Sequence, residues 1–377
     1  MATREPDPEL SARLLASIHG VSADRWDALA GTADPFVGHA FLSLLEDTLS
    51  VGEGTGWSPL YMLVDREGEV VGAAPAYLKA HSQGEYVFDH GWADAYDRAG
   101  GDYYPKLQVA VPFTPCPGPR LLGDRAALIA GLEAAAVQNG LSGVHATFIE
   151  EADREAFTAR GWLVREGVQF HWRNRGYATF DDFLAQLSSN RRKNIRKERA
   201  RSVEGLEIET LRGAEIGPEA VEAMWHFYQD TGSRKWGFPY LTRAFFDGMV
   251  EALGDALLLF LAREEGVPVA GALNLVGADT LYGRYWGTVV DRPGLHFELS
   301  YYRAIDWAIA HGLKTVQAGA QGEHKLMRGY EPVRTYSAHY LPDPGFRAAV
   351  ADFLEREKVA VTQELAWAAE QLPFRKG

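Results

Sequence analysis

An internal repeat constrains the fold of this 377-residue chain more than any other feature. The segment NGLSGVHATF from Asn139 corresponds to HGLKTVQAGA from His311, with glycine, leucine, valine and alanine at matching positions. Two further pairs match in the same order, LYMLVDREGEVVGAA (60–74) with LLLFLAREEGVPVAGAL (257–273), and RGWLVREGVQFHW (160–172) with RGYEPVRTYSAHY (328–340). Hairpins and helix–strand junctions of unrelated proteins also look alike, but three ordered matches favour duplication of an α/β unit of about 170 residues.

Each half shows the same predicted order of elements: helix, strand hairpin, third strand, helix and strand. The predicted elements are hairpins at 60–78 and 257–276, third strands at Tyr86–Phe88 and Leu281–Trp286, helices at Arg125–Asn139 and Glu298–His311, and strands at 143–149 and 315–320. We therefore predict a first domain at 1–165 with an insert at 93–122, a second domain at 166–344, and an amphipathic C-terminal helix within 345–377.

Composition narrows the class of protein. The formal net charge of −13 argues against a general nucleic-acid binder. A single cysteine, Cys116, excludes a disulfide framework and suggests a reducing compartment. The first 20 residues lack the pattern of a signal peptide, and the longest apolar run, Ala256–Ala262, is too short to span a bilayer. We expect a soluble cytoplasmic protein, with contact to the inner-membrane surface left open.

The mixed strands around one helix in each half resemble the acyl-CoA N-acyltransferase (GNAT) unit, and two such units resemble the Fem-like transferases of peptidoglycan synthesis. The segments GEYVFDHGWADAYDRAGG from Gly84, LSSNRRKNIRKERA from Leu187 and HFELSYYRAIDWAIAHGL from His296 are similar to Fem-like predicted N-acyltransferases of proteobacteria. This resemblance implies a mixed α/β fold of two tandem GNAT-like units and transfer of an acyl group to an amine. Some members of this family are linked to bacterial ceramide synthesis, in which a fatty acyl group goes to a sphingoid base.

Three ionisable residues in a row, Glu323, His324 and Lys325, follow the strand predicted at 315–320. Residues just past the carboxyl end of a strand line the ligand crevice of an α/β sheet, and histidine titrates near neutrality. The first half has Glu151 at the parallel position but an alanine in place of the histidine. We predict that His324, or Glu323 beside it, receives the proton of the amine; capping of a helix is the alternative.

The start of the predicted helix in the second half supplies two more catalytic candidates, His296 and Glu298. One of them would face the reaction cleft, whereas the alternative role for both is helix capping. His324 and His339 lack a compact ligand motif such as H-x-x-x-H, so we predict no metal site.

A basic segment and a glycine are the candidates for binding the acyl donor, acyl-CoA or an acyl carrier protein, with no tightly bound cofactor expected. The glycine-rich signature of ordinary GNAT enzymes is absent, and only Gly294 after a proline remains before the helix. The cations predicted on one face of a helix are Arg191, Arg192, Lys193, Arg196 and Lys197. Such a field suits CoA phosphates, an acidic carrier protein, anionic lipid or tRNA, and a solvated helix face is the alternative.

The aromatic and proline-rich insert at 93–122 has no clean period and is predicted to be an ordered loop, either a lid over an apolar substrate or a plug between domains. The predicted substrate contacts are Asp89, Trp92, Tyr104, Lys106 and Phe113 in the first half, and Tyr285 and Gln321 in the second.

These patterns favour an N-acyltransferase that uses an acyl thioester and a primary amine, with a long-chain amine such as a sphingoid base as the specific acceptor. Two alternatives remain: aminoacyl transfer from tRNA to a peptidoglycan precursor, and a non-catalytic module that binds peptidoglycan or lipid.

Overall fold

The chain forms two compact units that exchange C-terminal segments. A computed structural model describes residues 10–234, 239–319 and 322–375, without the side chains of 231–234 and of Glu323. Unit 1 comprises the chain up to Gly167 together with Thr335–Val361, and unit 2 comprises Val168–Arg334 and the chain from Thr362. This division differs from the sequence-based boundaries mainly in the placement of Thr335–Val361, because the strand that closes the second half of the sequence pairs within unit 1.

Unit 1 contains two small sheets and five helices before the chain enters unit 2. Its first eight strands are β1 (Leu10–Leu15), β2 (Trp57–Pro59), β3 (Tyr61–Arg66), β4 (Glu69–Ala74), β5 (Ala76–Lys79), β6 (Lys106–Val109), β7 (Leu122–Gly123) and β8 (Val144–Ile149). Its helices are α1 (Ala23–Ala30), α2 (His39–Asp47), α3 (His90–Arg98), α4 (Arg125–Gln138) and α5 (Arg154–Ala159). Strand β9 (Leu163–Arg173) carries the chain onward.

The strands of unit 1 pair in the orders β1-β3-β4-β7 and β2-β5-β6-β8, and the second set continues to residues 336–340 of a late strand, β15 (Glu331–Tyr340). Strands β6 and β8 are parallel, with Leu107 opposite Val144, and their other pairings are antiparallel. One face of this sheet is apolar and packs on α4, where Leu128, Ile129 and Leu132 are fully buried.

The third strand of the first half was predicted wrongly at Tyr86–Phe88. That segment has no regular structure, and Tyr86 adopts a positive φ of 58° that interrupts an extended chain. The strand beside β5 is instead β6, which lies inside the predicted loop insert. The short KLQV run gave no recognisable period because both of its faces are buried.

Unit 2 contains one mixed sheet with helices on both faces. Its other strands are β10 (Glu207–Arg212), β11 (Leu257–Glu264), β12 (Val267–Val276), β13 (Thr280–Thr288) and β14 (Thr315–Ala318). Its helices are α6 (Phe180–Gln186), α7 (Ser189–Ser202), α8 (Pro218–Arg234), α9 (Arg243–Leu253), α10 (Leu295–Phe297) and α11 (Arg303–Ala310). The order is β10-β11-β12-β13-β14-β9, in which β13 and β14 are parallel and the other pairs are antiparallel.

Helix α8 packs unusually closely on the sheet. A Cβ added at Gly287 would lie 2.1 Å from the backbone oxygen of Phe227, and one added at Gly271 would lie 2.4 Å from the sulfur of Met224. Glycine at these two positions lets the helix backbone approach β12 and β13. The opposite face of the sheet carries the main core of unit 2, which includes Leu299, Ile305 and Ala308 from the long helical segment.

That helical segment begins earlier than the predicted Glu298. It runs from α10 through a π-helical turn at Glu298–Tyr302 into α11, and it stops before Gly312, which has a φ of 68°. A π turn inserts one extra residue per turn, frequently at functional sites. The last helix, α12 (Pro344–Glu370), agrees closely with the predicted C-terminal helix. Among the described residues, no helix has the length and apolarity needed to cross a membrane.

Candidate active site

Strand β13 of unit 2 continues past the last residue of its parallel partner β14, and the stretch beside Arg284–Thr288, where β14 supplies no partner among the described residues, is called the gap beside β13. Strand β14 pairs with β13 only along Thr280–Gly283, although β13 continues to Thr288. The chain leaves β14 at Gly319, whose φ of 74° turns it away from the sheet. The pairing of β13 with β12 also shifts by one residue at Arg284. Backbone groups of β13 beyond Gly283 therefore lie along a stretch that has no β14 partner among the described residues.

Four aromatic or imidazole side chains line one side of this gap. Trp286 follows the bulge on β13, and its ring centroid lies 5.1 Å from that of His296 at the helix entrance. The His296 ring lies 5.3 Å from Tyr301 and 6.3 Å from His324. Two of the predicted catalytic residues, His296 and His324, thus lie near each other.

His324 is exposed, but its ring is fixed on one side by a buried tyrosine. The hydroxyl oxygen of Tyr301 lies 2.8 Å from His324 Nε2, within hydrogen-bond distance. Burial raises the pKa of Tyr301 above its ordinary value, so the phenol stays protonated at neutral pH. When His324 Nε2 donates to the tyrosine oxygen, Nδ1 retains a lone pair that can accept a proton.

Gly322 completes the geometry around this imidazole. It adopts a φ of 123°, which a side chain would strain. A Cβ placed there would lie 2.4 Å from His324 Cε1. The ring orientation therefore depends on glycine at this position. The side chain of Glu323 and the whole of Gln321 lie outside the described residues, so their predicted roles remain predictions.

Glu298 occupies an ion-pair cluster away from the imidazoles. Its carboxylate is almost fully buried and accepts hydrogen bonds from Arg199 at 2.9 Å and from Arg303 at 2.9 Å. Arg199 also pairs with Asp306 at 2.8 Å. Both oxygens of this carboxylate accept hydrogen bonds from guanidinium groups. These contacts favour a structural role for Glu298.

The other side of the sheet presents an aromatic wall. Tyr285 lies edge-on to Tyr228 of α8, with ring centroids 5.2 Å apart. Tyr228 in turn packs on Phe246 of α9 at 5.2 Å and on Trp225 at 6.3 Å. These rings are half-buried apart from Phe246, so they combine apolar area with access from solvent. Tyr285, a predicted substrate contact, belongs to this wall.

A buried lysine that had no predicted role lies where β14 ends. Lys325 is fully buried and donates a hydrogen bond of 2.6 Å from Nζ to the carbonyl oxygen of Gly319. Burial and then the charge of Lys325 lower the pKa of His171 to about 3. His171 itself contacts Gln169 at 3.0 Å. In the sequence, Lys325 stands directly after His324, but this position did not indicate that the lysine, rather than the histidine, is buried.

Helix α7 does not present its five predicted cations on one face. Arg191 lies on the side of Ile195 and Glu198, whereas Arg196 pairs with Asp181 at 2.7 Å on another side. Lys193 and Lys197 are exposed and Arg192 is half-buried. The clustering in the sequence did not reveal this distribution. Successive helix residues are about 100° apart, so the five cations are spread around much of the helix circumference.

Gly294 lies under α7 rather than at an open helix start. A Cβ added there would lie 3.3 Å from Glu198 Cγ and 3.4 Å from Ser202 Cβ. Its φ of 86° explains why a glycine stands at this position. Because α7 covers it, the contacts do not favour the predicted phosphate role of Gly294.

Unit 1 holds a second polar cluster, on the sheet face opposite its apolar core. Lys106 Nζ donates to Asp89 at 2.5 Å, to Glu85 at 2.9 Å and to Ser82 at 2.9 Å, and all four residues are buried. Burial opposes the charge of Lys106, but the two carboxylates outweigh burial and raise its pKa. Burial likewise opposes ionisation of Asp89, but Lys106 outweighs it and lowers the pKa of that carboxyl.

The predicted substrate residues of the first half separate into two groups. Trp92 and Tyr104 accompany Asp89 and Lys106: the Trp92 ring lies 4.9 Å from His339, and the Tyr104 hydroxyl lies 2.7 Å from the Ser82 oxygen. Phe113 instead packs on Trp57 at 5.5 Å. One carboxylate oxygen of Asp89 has no partner among the described residues. Their role as substrate contacts remains a prediction.

Two buried histidines face each other in this cluster. The Nδ1 atoms of His145 and His339 lie 2.8 Å apart, so one must donate and the other accept, and both rings are neutral. Burial, then the charge of Lys106, lowers the pKa of His145 to about 3. Burial, then His145, lowers the pKa of His339 well below its usual value.

Mild acid should therefore destabilise unit 1. Each folded-state pKa lies below the unfolded value of about 6.5, so the unfolded chain binds more protons as the pH falls below 6.5. Well below pH 6.5 each histidine costs about 1.4 kcal/mol of unfolding free energy per pH unit, and since the slope is smaller near pH 6.5, we expect a loss of about 3 kcal/mol between pH 6.5 and 5 for His145 and His339 together. Urea unfolding at both pH values measures this. A His339→Asn variant should lose less on acidification, and an unchanged pH slope in that variant would contradict the assignment.

The described residues contain no group of three or more His, Cys, Asp or Glu side chains placed to hold a metal ion. Cys116 is buried and free of disulfide bonding, with its carbonyl accepting a hydrogen bond from Arg120 at 2.7 Å.

The fold matches solved structures at low sequence identity. FemX aligns with a TM-score of 0.54 at 14% identity, covering 88% of this chain and 98% of FemX. L-PGS from Bacillus licheniformis aligns with a TM-score of 0.51 at 13% identity, covering 83% of this chain and 95% of the other. At these identities the likeness concerns the fold alone. No curated protein matches the sequence.

Two units with parallel central strands, matched over nearly their whole length by FemX, define a tandem GNAT-like protein of the Fem type. The chain belongs to the FemAB-like family, described as peptidoglycan biosynthesis/recognition, whose model matches residues 17–376. The predicted family and the predicted mixed α/β fold are thereby confirmed.

Proposed function

We propose that the protein transfers an acyl group from a thioester, acyl-CoA or an acyl carrier protein, to a primary amine. The observation that carries this proposal is the gap beside β13, with the His324–Tyr301 pair at its side. A strand edge without a neighbour offers backbone hydrogen bonds to an extended donor arm. The imidazole supplies the proton acceptor that amine acylation needs.

The chemistry balances without a further reactant. The neutral amine attacks the thioester carbonyl carbon, a C–N bond forms, and His324 takes a proton from the nitrogen. In this proposal, backbone N–H groups of β13 beyond Gly283 stabilise the oxyanion. Collapse breaks the C–S bond, and the thiolate takes a proton, so the products are an amide and a free thiol.

A long-chain amine such as a sphingoid base is our specific acceptor proposal. The aromatic wall of Trp225, Tyr228, Phe246 and Tyr285 supports it, because half-exposed rings bind hydrocarbon while a polar acceptor would gain little there. L-PGS shares the architecture of this chain, and the acceptor proposal takes nothing further from that likeness.

The proposal predicts thiol release that depends on acceptor chain length. The protein is incubated with palmitoyl-CoA or the corresponding acyl carrier protein, and with primary amines of increasing length up to sphinganine. KM for the amine should fall by roughly threefold to fourfold per buried methylene until the wall is covered. A colorimetric thiol reagent follows the reaction, and the single buried cysteine keeps the background low. Product mass identifies the amide.

The outcomes separate the functions. Absence of thiol release from both thioesters with every amine tested would refute the acyltransferase proposal. Release with short polar amines at equal efficiency would remove the long-chain acceptor and leave acyl transfer standing.

Aminoacyl transfer from tRNA is the second candidate. The exposed cations of α7, among them Lys193 and Lys197, and the shared fold with FemX support it. Transfer of a labelled amino acid from charged tRNA to a lipid or a peptidoglycan precursor, abolished by ribonuclease, would establish it. A non-catalytic binding module remains the alternative of another class, and it predicts wild-type ligand binding after replacement of His324.

A further inference from the structure

A small cavity lies between α7 and the short helix that carries His324. Its volume is about 130 Å³, and its walls include Arg191, Asn194 and Glu198 from α7, Tyr302 from the π turn, and Arg328. All of these residues belong to unit 2. Arg328 is linked to His324, since its Nη1 donates to the His324 carbonyl oxygen at 2.9 Å.

Arg328 forms a firmly held wall of this cavity. Its side chain is only 11% exposed, and its guanidinium lies 3.3 Å from the ring centroid of Phe297. Phe297 in turn lies 5.5 Å from the His324 ring. Arg328 Nη2 donates to Glu198 at 2.7 Å, whereas Nε is buried and has no hydrogen-bond partner among the described residues. A buried donor without a partner costs free energy unless a ligand or water satisfies it.

The acidic residue of the cavity is already compensated. Glu198 accepts hydrogen bonds from Arg328 and from the Tyr302 hydroxyl, the latter at 2.5 Å. Its carboxylate therefore holds the wall in place and neutralises one arginine.

Arg191 contributes the second, uncompensated cation. It makes a weak contact of 3.6 Å from Nη2 to the sulfur of Met327, and it forms no ion pair with any described residue. With two arginines and one glutamate, the cavity has one excess positive charge. Its guanidinium donors have spare capacity for a planar or tetrahedral oxyanion.

We infer that this cavity binds a phosphate group carried by one of the two substrates. The volume suits one compact anion, and arginine forks suit phosphate oxygens. The inference rests on the proposed function for the identity of the carrier: the phosphate of a pantetheine-linked donor, or that of a phosphorylated amine acceptor. The inference is also consistent with the position of Gly294 under α7. If the phosphate binds on the Arg191 side of α7, the helix start at Gly294 does not need to be accessible.

The test measures binding directly and needs no turnover. The full chain is titrated calorimetrically with inorganic pyrophosphate, 4′-phosphopantetheine, pantetheine without phosphate, and sphinganine 1-phosphate. Arg191→Ala should weaken the phosphate compounds by about tenfold to a hundredfold and leave pantetheine unchanged. Lys193→Ala removes the same charge from the exposed side of α7 and should change affinity less than threefold. Arg191→Glu should abolish phosphate-dependent binding.

The two carriers are distinguished by which compound shows the largest Arg191 effect. Equal affinities in Arg191→Ala and in wild type for every phosphate compound would overturn the inference, as would equal losses in Arg191→Ala and Lys193→Ala. Failure of thiol release with intact, Arg191-dependent phosphate binding would refute the proposed function alone.

Discussion

Replacing His324 with alanine is expected to lower kcat for thiol release by about 10²–10⁴-fold, the usual contribution of a general base. The amine remains able to bind, so KM should change little, since the loss concerns the transition state. The measurement is steady-state thiol release at saturating thioester. The expectation depends on the exposed ring of His324 and on its contact with Tyr301 at 2.8 Å.

Three companion variants make the result specific. Tyr301→Phe removes the hydroxyl that orients the ring and should lower kcat by a smaller factor, with a shifted pH profile. Gly322→Ala should also lower kcat, because the new Cβ collides with the imidazole at 2.4 Å. His226→Ala is the matched control, since that histidine is exposed on α8 and pairs with Glu222 at 2.8 Å. Wild-type kcat in His324→Ala would refute the role of this histidine.

Lys106→Met is expected to lower the free energy of unfolding by about 3–5 kcal/mol, because it leaves Asp89 buried without its cation, whereas Glu85 keeps an ion pair with Lys79 at 3.4 Å. Urea unfolding at pH 7.5 measures the change. The control is Arg13→Met, which breaks an ion pair with Asp65 whose arginine side chain is 43% exposed and should cost less than about 1 kcal/mol.

A second replacement tests the cause of that loss. Asp89→Asn removes the negative charge that Lys106→Met leaves uncompensated, so the double variant Lys106→Met/Asp89→Asn should be more stable than the sum of the single changes predicts. Strict additivity would show that lost packing, rather than the uncompensated charge, destabilises Lys106→Met.

The sequence predicted those features that repeat or have a clear period. The duplication located most helices and both hairpins, because residue spacing directly reflects which face of an element is buried. It also singled out His324, through its absence from the first half. The strand β6 escaped prediction because both of its faces are buried, apolar on one side and ion-paired through Lys106 on the other.

Partnerships between distant residues were beyond the reach of local patterns. Glu298 was predicted to be a catalytic carboxylate at a helix entrance. Its ion pair with Arg199, which is 99 positions earlier in the sequence, depends on how α7 packs. Tyr301 is brought to His324 by a π turn that has no sequence signature. The side of α7 on which Arg191 lies depends likewise on tertiary packing.

The division of the C-terminal segments between the two units determines when unit 1 can complete its folding during synthesis. Strand β8 pairs with residues 336–340, so unit 1 lacks one of its strands while the remainder of the polypeptide is synthesised. At about 5–20 residues per second, that interval lasts on the order of ten to thirty seconds on the ribosome. During it, one edge of β8 presents unpaired backbone groups. A chain that ends before residue 336 therefore lacks the strand that pairs with this edge of β8.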